Sequence, residues 1–134
     1  MPFDTVKKHI IVSAASNKYD KGIPYPKKPI PFPINPRDIH VNKQDVKPII
    51  YNVLYNDPSN LRRNKEIIDI DFIFKPNGEV TDIVFGLREN TLITIQEIED
   101  IDQQLRANIK ATFTGTRQLQ YEAFDGPMMP RISF

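Results

Sequence analysis

The most regular pattern of apolar and polar residues lies between residues 68 and 87. Apolar side chains stand at every second position of its first part, at Ile68, Ile70, Phe72 and Phe74. A period of two is typical of a strand with one buried face. Asn77 and Gly78, a pair that favours a type I′ turn, separate this segment from the apolar run 80–87. We therefore predict a β-hairpin.

A first helix is predicted over residues 42–55, with Asn42 as its N-cap. Its apolar residues recur at helical spacing, at Val46, Ile49, Ile50, Val53 and Leu54. Pro48 costs about 3 kcal/mol inside a helix, so we expect the helix to begin nearer Gln44 or Lys47. The segment 56–60 is expected to end it, and a polar stretch containing Arg62, Arg63 and Lys65 follows.

The main helix is predicted to begin after Thr94, which forms a capping box with Glu97. It is expected to end near Ile109, with an apolar stripe formed by Ile95, Ile98, Ile101 and Leu105. Four carboxylates crowd its first half: Glu97, Glu99, Asp100 and Asp102. We interpret them as a solvated face that complements the helix dipole, in preference to a cation site.

Shorter strands are predicted on both sides of this central unit. Residues 9–13 favour a strand, and residues 14–22 a loop. After the main helix, the segments 112–114, 117–124 and 130–134 favour short strands. We expect four of their side chains to point inward: Leu119, Tyr121, Ile132 and Phe134.

Six prolines fall between Pro24 and Pro36, interleaved with apolar residues. Proline fixes φ and removes a backbone donor, so this segment is expected to be extended, largely polyproline II. Three interpretations stay open. The segment lies against its own domain, pairs with another subunit or partner, or offers the PxxP sequence of Pro26 to Pro29 to an aromatic groove.

The elements together predict an α+β fold, in which an antiparallel sheet of three to five strands carries one main helix on its face. An N-terminal proline-rich arm and a second helix complete it. We expect one globular domain overall, with residues 1–41 as strand and arm, residues 42–134 as the α+β domain, and 67–134 as its ββαβ core.

The net charge of +1 hides a strong asymmetry along the 134 residues. Residues 1–66 contain 12 Lys/Arg against 6 Asp/Glu, whereas residues 67–134 contain 6 against 11. We hypothesise that the basic front and acidic back complement each other, within one chain or between subunits. The pI of about 7.9 lies below the range above 9 that is typical of nucleic-acid-binding domains, so no nucleic-acid partner is expected.

Catalytic and cofactor motifs are absent from the sequence. The chain has no cysteine, and its two histidines, His9 and His40, have no metal-ligand spacing around them. The five scattered glycines form neither a dinucleotide fingerprint nor a P-loop. We therefore predict no cofactor, no metal and no enzyme activity. A small hydrolase that uses Asp69, Asp71 or Glu97 is a remote alternative.

No apolar run reaches the length of about 18 residues that a membrane span needs. The compartment stays open on these grounds. The protein is expected to be periplasmic or secreted if a leader was removed, and otherwise cytoplasmic or part of a particle.

The segment 68–83, IDIDFIFKPNGEVTDI, resembles the start of the TonB C-terminal domain. The main helix and the ending Ile132-Ser133-Phe134 follow in the order of that family, and Tyr25-Pro26 is similar to a pair often found upstream of it. The pattern is also similar to that of small secreted proteins of Bacteroidetes. The resemblance covers residues 67–134 and implies a binding module that exposes a sheet edge to an extended partner strand.

We accordingly predict a non-catalytic protein-interaction or assembly module that binds a protein partner or itself. The predicted partner-binding residues lie in the arm and in the last strand: Tyr25, Pro26, Pro29, Phe32, Arg131, Ile132, Ser133 and Phe134. The alternative is a structural component of a larger machine, such as a virion, secretion or conjugation apparatus, that docks through the arm.

Overall fold

The computed structural model describes residues 9–24, 26, 30 and 32–134. The strands are β1 His9–Ser13, β2 Ile39–Val41, β3 Ile67–Phe74, β4 Val80–Arg88, β5 Ala111–Phe113, β6 Phe124–Asp125 and β7 Ile132–Ser133. The helices are α1 Val46–Val53, α2 Pro58–Arg63 and α3 Ile95–Asn108. Short 3-10 turns occupy Pro36–Asp38, Lys43–Asp45 and Arg117–Gln120. The fold is α+β, as predicted.

The main sheet is antiparallel and is built around the predicted hairpin. Its strand order is β1-β4-β3, and both β6 and β7 pair with the far side of β3. A second sheet joins β2 to β5. The strand predicted after the main helix therefore exists, but it belongs to this small sheet. An isolated bridge between Glu79 and Lys110 connects the tip of the hairpin to it.

One face of the main sheet forms the core. Residues alternating along β3 and β4 are almost fully buried there: Ile68, Ile70, Phe72, Phe74, Ile83, Phe85 and Leu87. Helices α1 and α3 cover this face and pack against each other. The opposite face carries Asp69, Asp71 and Val84, together with Ile11 of β1, and we call it the open face. The predicted period of two thus marks the buried side correctly.

Helix α1 begins at Val46, after a 3-10 turn. Pro48 is its third residue, where the backbone N–H has no partner within the helix, so it costs little. The prediction that Asn42 caps the helix is wrong. Its side chain instead links the segment before α1 to the C-terminal end of α3. It donates to the carbonyl of Asn108 and accepts from the N–H of Lys110.

Helix α2 occupies part of the stretch that was predicted to be irregular and polar. It begins at Pro58, whose fixed φ suits the first position of a helix. Leu61 is its buried residue and anchors it to the core. A single apolar residue in six gives no periodic signal, which is why the sequence pattern missed this helix.

The hairpin turn differs from the predicted type I′ geometry. Gly78 has a φ of +91°, but Asn77 does not have the positive φ that type I′ requires. The N–H of Gly78 donates to the carbonyl of Lys75, and the register of the two strands shifts between Ile73 and Phe74. This shift is a β-bulge, and it accommodates a turn that is longer than the two residues of type I′.

Two predictions in the C-terminal third and one in α3 are wrong. Residues 117–120 form a 3-10 turn, not a strand, and its three-residue repeat buries Gln118 and leaves Leu119 65% exposed. Tyr121 is half-buried and Ile132 is buried, as expected.

The capping box of α3 is confirmed, but Ile95 is 62% exposed because it stands at the first position of the helix, at the rim of a groove.

Gly78 and Gly115 allow two costs of adding a side chain to be measured separately: the backbone strain of a positive φ and a steric clash with a neighbour. Both have positive φ, but a Cβ on Gly78 would lie 2.0 Å from the carbonyl oxygen of Ala111, whereas nothing lies within 4 Å at Gly115. We expect Gly115→Ala to lower the free energy of unfolding by about 1–2 kcal/mol. Gly78→Ala should cost about 1–3 kcal/mol more. Urea denaturation measures both, and equal losses would contradict the steric role of Ala111.

Candidate functional site

The C-terminal edge of the main sheet is closed. Strands β6 and β7 are two residues long each and leave the middle of β3 between them. Residues 126–131 cross this gap, and the N–H of Gly126 donates to the carbonyl of Phe72 at 2.9 Å. Pro127 and Pro130 have no N–H to offer, so this edge is a poor template for a further strand.

The residues predicted to bind a partner at this edge are engaged within the chain. Arg131 donates two hydrogen bonds to Asp69, at 2.9 and 2.8 Å, and this contact raises the pKa of the guanidinium. Ile132 is buried, and the carbonyl of Ser133 accepts from the hydroxyl of Tyr51 at 2.8 Å. The ring of Phe134 lies 5.3 Å from that of Tyr51. Arg131 and Ile132 thus fasten the end of the chain to β3, and Ser133 and Phe134 fasten it to α1.

The arm residues are only partly described. Tyr25 and Pro29, and the two lysines of the PxxP sequence, lie outside the described residues. Pro26 is exposed. Phe32 is exposed and lies under the guanidinium of Arg117, and its carbonyl accepts from Gln120 at 2.9 Å. The N–H of Ile34 donates to the hydroxyl of Tyr121, so residues 32–34 pack against their own chain.

The opposite edge of the sheet is β1, and it has a different character. It pairs antiparallel with β4 from His9↔Arg88 to Ser13↔Val84. In the part of the chain that the structure describes, no strand pairs with its other side. In an antiparallel strand every second residue turns its N–H and C=O away from the neighbour, so these groups of β1 have no strand partner among the described residues.

The side chains of β1 alternate between two environments. Val12, opposite Phe85, faces the helical layer and packs on the core. Ile11, opposite Gly86, lies on the open face and is 71% exposed. Ile11 is thus a large apolar side chain exposed on an edge strand whose outer side pairs with no described strand.

A groove of about 550 Å³ lies between β1 and α3 on the helical side, and we call it the β1–α3 groove. Val12, Ala14, Ala15, Phe85, Ile95 and Ile98 give it an apolar lining. Glu99, Asp102, Gln103 and Arg106 form its polar side. Arg106 is committed to Asp102, with the guanidinium Nε 2.6 Å from the carboxylate, which leaves Glu99 as the uncompensated charge of the lining.

A buried polar network holds the loop after β1 in place. Asp82 of β4 is 1% exposed, and its carboxylate accepts from the N–H groups of Lys18 and Tyr19 at 3.0 and 2.7 Å. Arg106 donates to the side chain of Asn17, whose amide donates to the carbonyl of Ile83. The loop 14–19 is thereby fastened across β4 and against α3, and it fixes one end of the groove.

A second buried carboxylate, Glu66, organises the connection between β4 and α3. It accepts from the hydroxyl of Thr91 at 2.6 Å, the N–H of Leu92 at 2.7 Å and the amide of Asn64 at 2.6 Å. All its partners are neutral donors that would otherwise be partly buried without a partner. The carboxylate therefore has a structural role.

The carboxylates that the sequence suggested for a hydrolase do not converge. Asp69 is paired with Arg131, Asp71 is exposed on the open face, and Glu97 completes the capping box of α3. Within residues 9–24, 26, 30 and 32–134, no group of three or more acidic or histidine side chains could hold a metal ion. His40 is exposed, and its ring contacts the hydroxyl of Thr114.

An apolar pocket of about 270 Å³ lies beside the other end of the helical layer, and we call it the aromatic pocket. Its lining consists of Tyr51, Leu54, Tyr55, Pro58, Leu61, Arg62 and Phe134. The ammonium of Lys47 lies 5.3 Å from the centre of the Tyr51 ring, a cation–π contact. Tyr55 is 69% exposed at the rim, and its hydroxyl has no hydrogen-bond partner within the described chain.

The scan against protein-family models finds no match, and neither curated proteins nor solved structures give a significant match to this chain. Among the helices in the described residues, none has the length and apolar character needed to cross a membrane.

The Asp82 network makes a prediction about stability. Removing a buried carboxylate that accepts two backbone N–H groups should cost about 2–3 kcal/mol, so Asp82→Ala is expected to lower the free energy of unfolding by that amount. The control Asp71→Ala, on the open face, should change it by less than about 0.5 kcal/mol. Urea denaturation gives both values. Equal effects of the two variants would show that the loop needs no buried acceptor.

Tyr19 makes a prediction about pH. Its hydroxyl donates to Glu122 at 2.8 Å, and this bond is the main reason why the pKa of Tyr19 is raised above its ordinary 10.0. The folded state thus holds this proton more tightly than the unfolded chain does. The resulting stabilisation is full below pH 10 and is lost as pH rises through the raised pKa.

We expect Glu122→Gln to lower the pKa of Tyr19 in an ultraviolet pH titration of the folded protein. Tyr19→Phe identifies the signal, because it removes that one titration step. An unchanged titration curve in Glu122→Gln would mean that the hydrogen bond does not persist in solution.

Proposed function

We propose that this protein is a non-catalytic interaction module that binds an extended segment of a protein partner at the edge of β1. The observation that carries the proposal is the unpaired side of β1 together with the exposed Ile11. A partner strand added there would gain backbone hydrogen bonds from a row of groups that already has the geometry of a sheet.

The shape of the sheet supports β1 over the C-terminal edge. At the C-terminal edge, prolines and the contacts of Arg131 and Ser133 occupy the positions that an added strand would need. Strand β1 carries no proline, and β4 holds it along all five residues. The added strand would therefore meet a rigid template, which lowers the entropic cost of binding.

The exposed side chain of Ile11 beside the edge offers a contact for recognition. On the open face Ile11 would pack against an apolar residue of the partner, since directly opposed side chains of neighbouring strands lie about 4.5–5.5 Å apart. The resemblance of residues 67–134 to TonB C-terminal domains supports the same mode of binding, although we assign it to β1 and not to the last strand.

Selection of random linear peptides on the wild-type protein, followed by calorimetry, tests the proposal. We expect Ile11→Lys to weaken binding of a selected peptide at least about tenfold, because a lysine on an edge strand opposes strand addition. The control Leu119→Lys introduces the same side chain at a similarly exposed apolar position and should bind normally. Neither variant loses a buried contact, so both should melt like the wild type.

Hydrogen exchange locates the bound peptide. Added protection should concentrate in residues 9–13, where the outward N–H groups of β1 become bonded. Protection confined to other segments, or equal affinity of the two lysine variants, would refute the assignment of β1 as the binding edge.

A further inference from the structure

Ion pairs among the described residues do not balance the charge asymmetry of the chain. Three ion pairs occur among the described residues, Lys75–Glu79, Arg106–Asp102 and Arg131–Asp69, and all three lie in the acidic half. Among the described residues, no ion pair joins the basic half, residues 1–66, to the acidic half, residues 67–134. The complementarity suggested by the sequence is therefore available to a contact between molecules.

The β1–α3 groove and the aromatic pocket have linings of opposite charge. The groove is lined by residues 12–16 and by α3, with Glu99 as its uncompensated charge. The aromatic pocket is lined by α1 and α2 and has Arg62 in its wall and Lys47 over one of its rings. Both cavities have a strongly exposed apolar side chain at the rim: Ile95 at the groove, and Tyr55, beside the less exposed Tyr51, at the pocket.

We propose that the β1–α3 groove receives Tyr55 of a second copy of this chain. The groove supplies apolar walls for the ring, and a carboxylate at Glu99 that can accept a hydrogen bond from the hydroxyl. Lys47 and Arg62 of the incoming copy approach the same carboxylate, and Ile95 faces the incoming aromatic pocket. Two large exposed apolar residues are thus buried by one contact, with charges of opposite sign around them.

The exposed apolar surface that would be covered separates this occupant from one alternative. The proline-rich arm also contains aromatic residues and two lysines, Lys27 and Lys28. It would fit the acidic groove, but it would leave Tyr55, Ile95 and the aromatic pocket uncovered. A second copy covers all three. Because the contact joins two different surfaces, it is heterologous and continues from molecule to molecule as a ring or an open chain.

Sedimentation equilibrium over a concentration series tests the contact. For the wild type we expect an average mass that rises above the 15.5 kDa of one chain as the concentration increases. At high salt the assemblies should be several-fold less populated. Tyr55→Ser removes the inserted side chain and keeps the groove. Glu99→Lys reverses the charge of the groove and keeps Tyr55. Each variant alone is expected to stay at the mass of one chain.

The decisive sample is an equimolar mixture of these two variants. Each then contributes one intact surface, so the mixture should form a dimer of twice the 15.5 kDa mass and nothing larger. Leu119→Ser also replaces an exposed large apolar side chain by serine, and Glu89→Lys makes the same charge reversal. Both positions lie outside the two cavities, so both variants should associate like the wild type. All four positions are exposed, and unchanged thermal melting confirms that the fold is retained.

The remaining outcomes overturn the proposal. A wild type that stays monomeric, a Tyr55→Ser variant that still assembles, or a mixture that forms no dimer would each refute it. Loss of assembly in Tyr25→Ser but not in Tyr55→Ser would identify the arm as the occupant. Ile11→Lys should assemble normally because Ile11 lies on the other face, so failure of this contact and failure of strand addition at β1 are measured separately.

Discussion

Burial of one face of the β3–β4 hairpin under α1 and α3 is the constraint on which the rest of the structure depends. Seven alternating side chains of this hairpin are almost fully buried, and each contributes about 1.5–3 kcal/mol by leaving water. A shift of one strand by one residue would turn its whole set of buried side chains to the open face. The hairpin register is therefore fixed, and the positions of both edges of the sheet follow from it.

Polar side chains then decide which edge stays available. At one edge, Arg131 and Tyr51 tie down the last residues of the chain, and prolines remove donors. At the other edge, Asp82 fastens the loop that follows β1, but nothing described covers β1 itself. The buried carboxylates Asp82 and Glu66 thus stabilise the loops around the sheet by accepting hydrogen bonds from within the chain.

The hairpin, the main helix with its capping box, and the first strand could be predicted from the sequence because each is specified by local periodicity or by a local hydrogen bond. Helix α2 and the 3-10 turn at 117–120 could not, since each is anchored by one buried residue, Leu61 or Gln118. Part of the candidate site could not be predicted from the sequence either. The polar residue Asp82 interrupts an apolar run and was a visible signal, whereas the groove depends on how β1 and α3 meet in space.

The pairing of β1 with β4 has a kinetic consequence. Its partners are separated by more than 70 positions along the chain, whereas β3 and β4 are neighbours joined by a short turn. Closing so long a loop costs more conformational entropy than closing the hairpin, and such contacts form late in folding. We therefore expect the hairpin and α3 to assemble first and β1 to be added last. Folding thus completes the sheet by adding a strand to the edge of β4, and in our proposal a partner binds by adding a further strand to the edge of β1.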